Sequence, residues 1–316
     1  MTAARIAIAA ALLLAALALP RALDAADAGF YLGTASRILV YAVAATSLNL
    51  LLGYGGMISL GHAAFFGLGA YSTGILLSEG VQSGFLHLLA VVAVAGLAAL
   101  VIGAISLRTR GVYFIMITLA FAQMLFYLGN SIKGYGGDEG LTVRVRSLLP
   151  GGIDLRDDPT FYYCALAVLA AQLLLLHRFA ASRFGRAVQA LRDDEVRAEA
   201  LGLPVFAAKL AVFVVAGVMC GAAGALSVNL QGYVSPNLLH WTQSGTLLVM
   251  VLLGGVGTLW GGLLGAAALL LMQEVLSAQT EYWEFWIGWV LLAVVLFARG
   301  GLAGLLQAVA ARRIRS

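Results

Sequence analysis

The sequence predicts an all-α, polytopic helical membrane protein with about ten transmembrane segments. Hydrophobic residues make up 62% of the 316 residues and charged residues only 11%, and the mean hydropathy is +0.96. Apolar runs of about twenty residues recur along the chain, which is the length a helix needs to cross a hydrocarbon core about 30 Å thick. Runs such as residues 88–105 show no alternation of polar and apolar residues, which excludes a transmembrane β-barrel.

The apolar runs predict ten spans within one transmembrane domain that covers residues 1–316. In order, the predicted spans are 5–23, 35–53, 57–78, 86–106, 112–130, 160–178, 207–231, 243–258, 261–277 and 283–299. The first run also resembles a cleaved secretory signal, because Arg5 precedes an apolar stretch that ends before Pro20. We interpret it as a retained span, since everything that follows is membrane-embedded as well.

Arginine placement predicts the orientation of these spans. Positive residues are enriched in cytoplasmic segments, and four groups should therefore share that side. They are Arg5, the pair Arg108 and Arg110, the five arginines between residues 178 and 197, and Arg312, Arg313 and Arg315. Ten crossings with both termini in the cytoplasm is the only simple count that places all four groups inside.

Two segments between the spans are long enough to have structure of their own. The predicted outer loop, residues 131–159, mixes acidic and basic residues with several glycines, so we expect an irregular segment that folds back over the membrane surface. It is either a passive linker or a docking surface. The second is a cytoplasmic segment, residues 179–206.

The chain shows no equipment for chemistry of its own. Its only lysines, Lys133 and Lys209, do not end a phosphate-binding loop. Its four histidines are scattered, and its two cysteines lie in apolar runs. We therefore expect no enzyme activity, no metal and no cofactor. The arginines cluster at segment ends rather than in a basic patch, which argues against nucleic-acid binding.

A glycine-rich stretch precedes two polar residues at membrane depth. Gly53, Gly55 and Gly56 come before Ser59 and His62, which lie three residues apart and should therefore share a helix face. A broken helix start would leave backbone N–H groups and a positive dipole end that can receive an anionic group. Together with Asn49, these residues are candidates to line a translocation path. Close helix packing is the alternative for the same residues.

Other glycines have the spacing of packed helices. Gly217 and Gly221, and the series Gly257, Gly261 and Gly265, recur every four residues. We interpret both sets as close helix–helix contacts.

The cytoplasmic segment contains a predicted amphipathic helix over residues 186–201. Ala187, Leu191, Ala198 and Leu201 fall on one stripe, and charges of both signs cover the rest. Gly202 followed by Pro204 should end the helix. A narrow apolar stripe with mixed charges favours a shallow groove on a partner protein over a lipid surface.

Three blocks carry a resemblance to a known family. They are SLNLLLGYGGMISLGHAAFFGLGAY (47–71), SRFGRAVQALRDDEVRAEALGLP (182–204) and NLQGYVSPNLLHWTQSGTLLVMVLLGGVGTLWGGLLGA (229–266). In this order they resemble the LivM-type permease subunit of branched-chain amino acid ABC importers, over about residues 35–300. The resemblance implies a multi-pass permease domain in the bacterial inner membrane. It also implies a second, LivH-like permease, two cytoplasmic ATPases that bind the ATP, and a periplasmic substrate-binding protein.

The resemblance also assigns a role to the cytoplasmic helix. ABC permeases contact their ATPases through a coupling helix, often with an EAA-x3-G pattern, and here Glu195 to Gly202 is one residue too long for it. Position and character still match. The expected coupling residues are Arg186, Leu191, Arg192, Asp193, Asp194, Glu195, Glu199 and Gly202.

Other functions remain open at this point. Permeases of the same family for urea, short amides or aromatic acids would have the same pattern. An ion-coupled secondary transporter would need an ionisable residue at mid-membrane, and no acidic or basic residue lies at the centre of a predicted span. A membrane-embedded enzyme would need a catalytic cluster, and none is visible.

Overall fold

The computed structural model describes residues 16–23, 29–149, 153–297 and 300–305, and within them the chain is almost entirely helical. The first helix, α1, covers residues 16–23. The others are α2 Phe30–Asn49, α3 His62–Ser78, α4 Gly84–Ser106, α5 Val112–Ser131, α6 Asp158–Ala181, α7 Arg183–Asp193, α8 Glu195–Ala200, α9 Val205–Gln231, α10 Trp241–Gly254, α11 Gly261–Ser277 and α12 Trp283–Phe297. A π-helical turn, Leu50–Tyr54, continues α2.

These helices confirm the predicted fold class. Five are long and apolar enough to cross a membrane: Phe30–Tyr54, Gly84–Ser106, Val112–Ser131, Asp158–Ala181 and Val205–Gln231. The remaining predicted spans correspond to shorter helices, α3, α10, α11 and α12. Of the predicted span 5–23, residues 1–15 lie outside the described part, as do residues 298–299 of the last span.

Helix α2 is at the centre of the bundle. It packs against α6, α9, α10 and α11, while α3 packs against α4 and α9. Every residue from Leu39 to Leu51 is buried. A helix that is hydrophobic on all sides can be covered by protein all round, so this sequence suits the central position.

Glycines bring the helices together, as their spacing predicts. A methyl group added at Gly217 would lie 2.7 Å from Cβ of Ala99, and one at Gly221 would lie 2.8 Å from Cβ of Ala95. These two glycines therefore fit α9 against α4. Gly265 lies against the backbone of Met250 and so fits α11 against α10. Gly257 differs from its series, because it lies in the α10–α11 loop with φ of +73°.

The connecting segments collect at two opposite ends of the bundle. We call the inner end the one formed by residues 55–61, 107–111, 182–204 and 255–260. There, Arg192 contacts Gly53 and Arg110 contacts Glu195. The outer end consists of residues 79–83, 132–149, 153–157 and 232–240, where Leu141 pairs with Val234. The arginine pair 108 and 110 thus shares an end with the arginines of residues 178–197, as predicted. The positions of Arg5 and Arg312–Arg315 fall outside the described residues.

The predicted outer loop is irregular, with short strands that attach it to its neighbours. Strand β1, Leu141–Thr142, pairs with β4, Tyr233–Val234. Strand β2, Leu148–Leu149, pairs with β3, Ile153–Asp154. A buried network ties the loop to α4 and α9: His87 Nδ1 lies 2.8 Å from Ser147 Oγ, and Ser147 N donates to Asn229 Oδ1 at 2.7 Å.

Candidate functional site

The glycines at residues 53–56 end α2 rather than begin the next helix. Gly55 N donates to Leu50 O at 3.2 Å, and Gly56 N donates to Leu52 O at 3.1 Å. Gly56 then turns the chain with φ of +67°, a conformation that favours glycine. The expectation that this stretch starts a broken helix is therefore corrected. It closes α2, and α3 begins only at His62.

Ser59 and His62 are both fully buried, but they do not share a helix face. Ser59 lies in the non-helical segment before α3, where its Oγ accepts from Gly61 N at 3.1 Å. The prediction of a common face is wrong because the segment rich in glycine does not continue the helix backwards from His62. His62 reaches α2, where its Nε2 lies 2.9 Å from Ser47 Oγ.

Backbone donors at the start of α3 already have partners inside the protein. Ala63 N donates to Ser244 Oγ at 2.8 Å, and Ala64 N donates to Gly61 O at 3.1 Å. Within the described residues, His62 Nδ1 has no hydrogen-bond partner. Binding of an anionic group at the start of α3 stays a prediction. Because these backbone donors already bond to protein groups, such binding would require the segment to rearrange.

Asn49 holds the α10–α11 loop against α2 with both ends of its amide. Its Oδ1 accepts from Gly257 N at 2.8 Å, and its Nδ2 donates to Thr258 O at 2.7 Å. Asn49 is completely buried. Gly53 lies directly on Gly257, since a methyl group added at Gly53 would lie 2.6 Å from Cα of Gly257. The Asn49 side chain thus acts as a clamp that joins α2 to the α10–α11 loop.

The cytoplasmic segment forms two helices instead of one. The predicted helix over residues 186–201 is interrupted at Asp194, which has φ of −156° and ψ of 99°. Asp194 Oδ1 accepts from Arg197 N at 3.0 Å and so caps α8. Aspartate favours this position because its side chain satisfies an N–H group that lacks a helical partner. The predicted end is confirmed: Gly202 N bonds Glu199 O and Leu203 N bonds Ala198 O, a Schellman pattern.

The break also changes the buried stripe. Leu191 and Ala198 are buried in the core of this chain, together with Val188, whereas the stripe was expected to face a groove on a partner protein. Leu201 is 77% exposed, because the two helices no longer keep one continuous register. The predicted four-residue stripe is wrong at this position.

The eight expected coupling residues divide between two faces. Leu191 is buried. Arg192 Nη1 donates to Gly53 O at 2.6 Å. Glu195 forms ion pairs with Lys209 Nζ at 2.7 Å and with Arg110 Nη2 at 3.2 Å. These three hold the segment to the membrane helices. The other five are exposed to solvent: Arg186, Asp193, Asp194, Glu199 and Gly202. Arg192 is exposed as well, apart from its bond to Gly53.

An open groove of about 530 Å³ lies beside α8. Its walls come from the α4–α5 connection, α8 and the start of α9, and they include Arg108, Glu199 and Phe206. Val196 on α8 has 72% of its surface exposed, and Leu201, which directly follows the last residue of α8, is exposed as well. This is a surface of mixed charge with exposed apolar side chains, suited to a protein partner.

Several residues of these sites were not singled out from the sequence. Ser47, Ser244 and Thr258 make the membrane-depth contacts, and Arg110 and Lys209 hold Glu195. The sequence does offer a reason to single out Lys209, because it is one of only two lysines in the chain. In the described part of the chain, no group of three or more His, Cys, Asp or Glu side chains could hold a metal ion.

Comparisons with known proteins agree with this architecture. Residues 30–298 match the family described as "Branched-chain amino acid transport system / permease component". The chain is 29% identical to the high-affinity branched-chain amino acid transport system permease protein LivM of Escherichia coli, over 85% of this chain and 68% of that protein, and equally similar to LivM of Salmonella typhimurium. It is 32% identical to the autoinducer 2 import system permease protein LsrC of Photorhabdus laumondii, over 45% of this chain and 44% of that protein. No solved structure matches.

The family match covers most of the chain, including every helix from α2 to α12 and both sites described above. The chain is a multi-pass membrane protein that belongs to the family of permease components of branched-chain amino acid transport systems.

Proposed function

We propose that the chain is the permease subunit of an ATP-driven importer that carries branched-chain or related amino acids across the bacterial inner membrane. The observation that carries the proposal is the α7–α8 segment, which leaves the bundle at the inner end and is bonded to the end of the central helix. The named functions of the two LivM relatives support the substrate class.

The proposal includes the partners of such a subunit. A second, LivH-like permease would complete the path within the lipid bilayer, and a periplasmic binding protein would deliver the substrate at the outer end. Two cytoplasmic ATPases would bind the ATP, so this chain would need no cofactor and would catalyse no reaction itself. We also propose that residues 1–316 act as one permease domain.

The ATPase contact is proposed to centre on α8. Val196 on α8 and Leu201, which directly follows this helix, are exposed apolar side chains, and Asp193, Asp194 and Glu199 are exposed acidic groups of the same segment. We propose that Glu195 lies outside this contact surface, an assignment supported by its 22% exposed side chain and its ion pairs with Arg110 and Lys209. Apolar anchors at the centre of an interface contribute most of its binding energy, while charges on its rim contribute little.

The membrane-depth residues are proposed to shape the inner gate of the translocation path. Asn49, Gly53, Gly55, Gly56, Ser59 and His62 form one connected region at the end of α2 and the start of α3. Because their polar groups bond mainly to protein, they would determine where the path wall lies, and a substrate carboxylate would reach them only when the gate rearranges.

Transport by the reconstituted complex tests the proposal. The chain, its second permease and the ATPases are placed in vesicles, and labelled leucine uptake is measured with the binding protein present. We expect uptake to require ATP on the ATPase side. Urea and aromatic acids as competitors identify the related substrate classes. Leucine uptake driven by an ion gradient without ATP would contradict the proposal.

A docking experiment tests the surface separately. We expect Leu201→Glu to reduce co-purification of the ATPases, because it places a charge where an apolar contact is proposed. The matched control is Ile132→Glu, which changes a side chain that is 43% exposed at the opposite end. Full ATPase recovery with Leu201→Glu would contradict this location of the contact.

An ion-coupled transporter is the second candidate, and the structure gives it little support. In the described membrane helices, charged side chains occur near the helix ends. The deepest, Arg37, lies about two turns from the start of α2 and packs on the ring of Tyr41 at 5.9 Å. Coupling to an ion gradient would need an ionisable group at mid-membrane.

A further inference from the structure

Arg192 has a side chain that is shared between the inner-end helix α7 and the central helix α2. Its NH1 donates to Gly53 O at 2.6 Å. Its Nε and NH2 donate to Asp193 Oδ1 at 3.0 Å and 2.8 Å. The planar guanidinium group is suited to this double role, because it presents donors in a fixed geometry.

The carbonyl that Arg192 binds is the one left over at the end of α2. The carbonyls of Leu50, Leu51 and Leu52 accept from Gly55 N, Met57 N and Gly56 N. Gly53 O is next in order and accepts from Arg192 instead. A cation at this place also lies at the negative end of the helix dipole, where it is favourable.

The fit between Arg192 and α2 involves packing as well as hydrogen bonding. A methyl group added at Gly56 would lie 2.6 Å from Cγ of Arg192. The aliphatic part of the arginine therefore rests on a glycine whose positive φ already excludes most side chains. A displacement of α7 at Arg192 would therefore have to break the hydrogen bond to Gly53 O and disturb the packing against Gly56.

The contacts continue from α2 to the α10–α11 loop. Gly53 lies on Gly257, and Asn49, one helical turn before Gly53, binds the backbone of Gly257 and Thr258. This loop joins α10 to α11, two helices whose backbones meet at Gly254, Gly261 and Gly265. Arg192 is thus the first member of a continuous series of contacts that leads from α7 through α2 to the α10–α11 pair.

The end of α2 also has irregular backbone geometry of the kind that hinges use. Its last five residues form a π-helical turn, and a non-helical segment follows up to Gly61. Single π-helical turns are frequent at functional sites, and residues between helices absorb the dihedral changes of a hinge.

We propose that Arg192 is a positioning residue that transmits movement of the α7–α8 segment to the end of α2 and the α10–α11 loop. This rests on the proposed function and refines it: Arg192 acts inside the permease, through Gly53, and is not part of the surface that the ATPase contacts. The residue sets how much transport accompanies each ATP hydrolysed.

The test compares Arg192→Ala with Arg183→Ala in the reconstituted complex. Arg183 is the matched control, since it is an exposed arginine of the same helix α7 and is not among the expected coupling residues. Three quantities are measured for each variant: ATPase stoichiometry after purification, ATP hydrolysis, and leucine uptake per ATP hydrolysed.

For Arg192→Ala we expect wild-type ATPase stoichiometry, continued ATP hydrolysis, and uptake per ATP reduced about tenfold or more, which is the scale of one lost hydrogen bond to a charged group. Arg183→Ala should keep the wild-type ratio. Arg192→Lys should recover part of it, because the cation at the end of α2 is retained. A purely structural role would lower the amount of folded complex without changing the ratio.

Two results would overturn the proposal. One is an unchanged ratio of uptake to hydrolysis in Arg192→Ala. The other is loss of the ATPases from this variant, which would make Arg192 a determinant of the contact itself. Failure of the wild-type chain to bind ATPases or to transport with ATP would instead reject the proposed function, so the two failures are distinguishable.

Discussion

The outer end of the molecule joins separate segments by backbone pairing as well as by side chains, whereas the inner end relies on side chains. At the outer end, backbone groups join separate segments: β1 pairs with β4, Val143 N donates to Gly232 O, and Leu148 N donates to Gln82 O. Among the described residues of the inner end, the hydrogen bonds that join separate segments involve side chains, namely those of Arg192, Asn49 and Glu195. Backbone pairing fixes a register, whereas side-chain contacts can be exchanged. The inner end is therefore the one suited to move.

The largest effect is expected from Asn49→Leu, which removes the clamp at the inner end. Gly257 N–H and Thr258 C=O would lose their partners, and each unsatisfied buried group costs about 1–3 kcal/mol. The midpoint of thermal unfolding in detergent should fall and uptake should be lost. Asn237→Leu, at an exposed asparagine of the outer end, should have little effect. Equal midpoints for both variants would contradict the clamp.

Glu195→Arg should be next, because it creates repulsion inside the inner end. The new cation would face Arg110 and Lys209, and like charges placed together can cost several kcal/mol. Hydrogen exchange of α8 should increase even without the ATPases. Glu199→Arg, an exposed change on the same helix, is the control, and Lys209→Glu should partly rescue the first variant. Unchanged exchange would show that the ion pairs do not hold α8.

Asn229→Leu tests the outer end. Its Oδ1 holds Ser147 N, and its Nδ2 donates to Ala225 O at 2.9 Å, so its loss should cost about 1–3 kcal/mol. Trypsin added outside should cut at the exposed Arg144 faster than in wild type, while uptake per ATP stays unchanged. Gln231→Leu is the control, because that side chain bonds only to Ser227 on its own helix. A changed ratio of uptake to ATP would contradict a static outer end.

The smallest effects are expected at two neighbouring aspartates, Asp194 and Asp193, whose side chains have different roles. Asp194→Ala removes the cap of α8 and should cost about 1 kcal/mol, seen as faster exchange of its first turn. Asp193→Ala removes an exposed ion pair with Arg192, worth about 0–1 kcal/mol, and should be nearly silent. If the two variants behave alike, Asp194 does not act as a cap.

Much of the fold could be predicted because it follows from local patterns. The apolar runs set the helices, Gly217 and Gly221 marked a packed face, and Gly202 marked the end of α8. The break at Asp194 was also within reach, since an aspartate followed by Glu195 is a helix-start signal. The amphipathic stripe conceals this break, because its pattern continues across the cap.

The candidate sites were harder to predict because their contacts join distant parts of the chain. Arg192 and Gly53 are 139 residues apart, and Asn49 and Gly257 are 208 apart. Nothing in the local sequence tells whether Asn49 faces a substrate path or a loop. The same holds for Ser59, whose place outside α3 depends on how the glycine-rich segment packs between its neighbours.

The central claim is that the two ends lie on opposite sides of the membrane, with α7–α8 on the side of the ATP. Single cysteines at Arg144 and at Ala190, both exposed positions, test this most directly in a chain where Cys164 and Cys220 are replaced by alanine. Intact cells are treated with a thiol reagent that does not cross the inner membrane. We predict labelling at position 144 in intact cells, and labelling at position 190 only after the inner membrane is permeabilised. Equal labelling or equal protection of the two positions in intact cells would contradict the account.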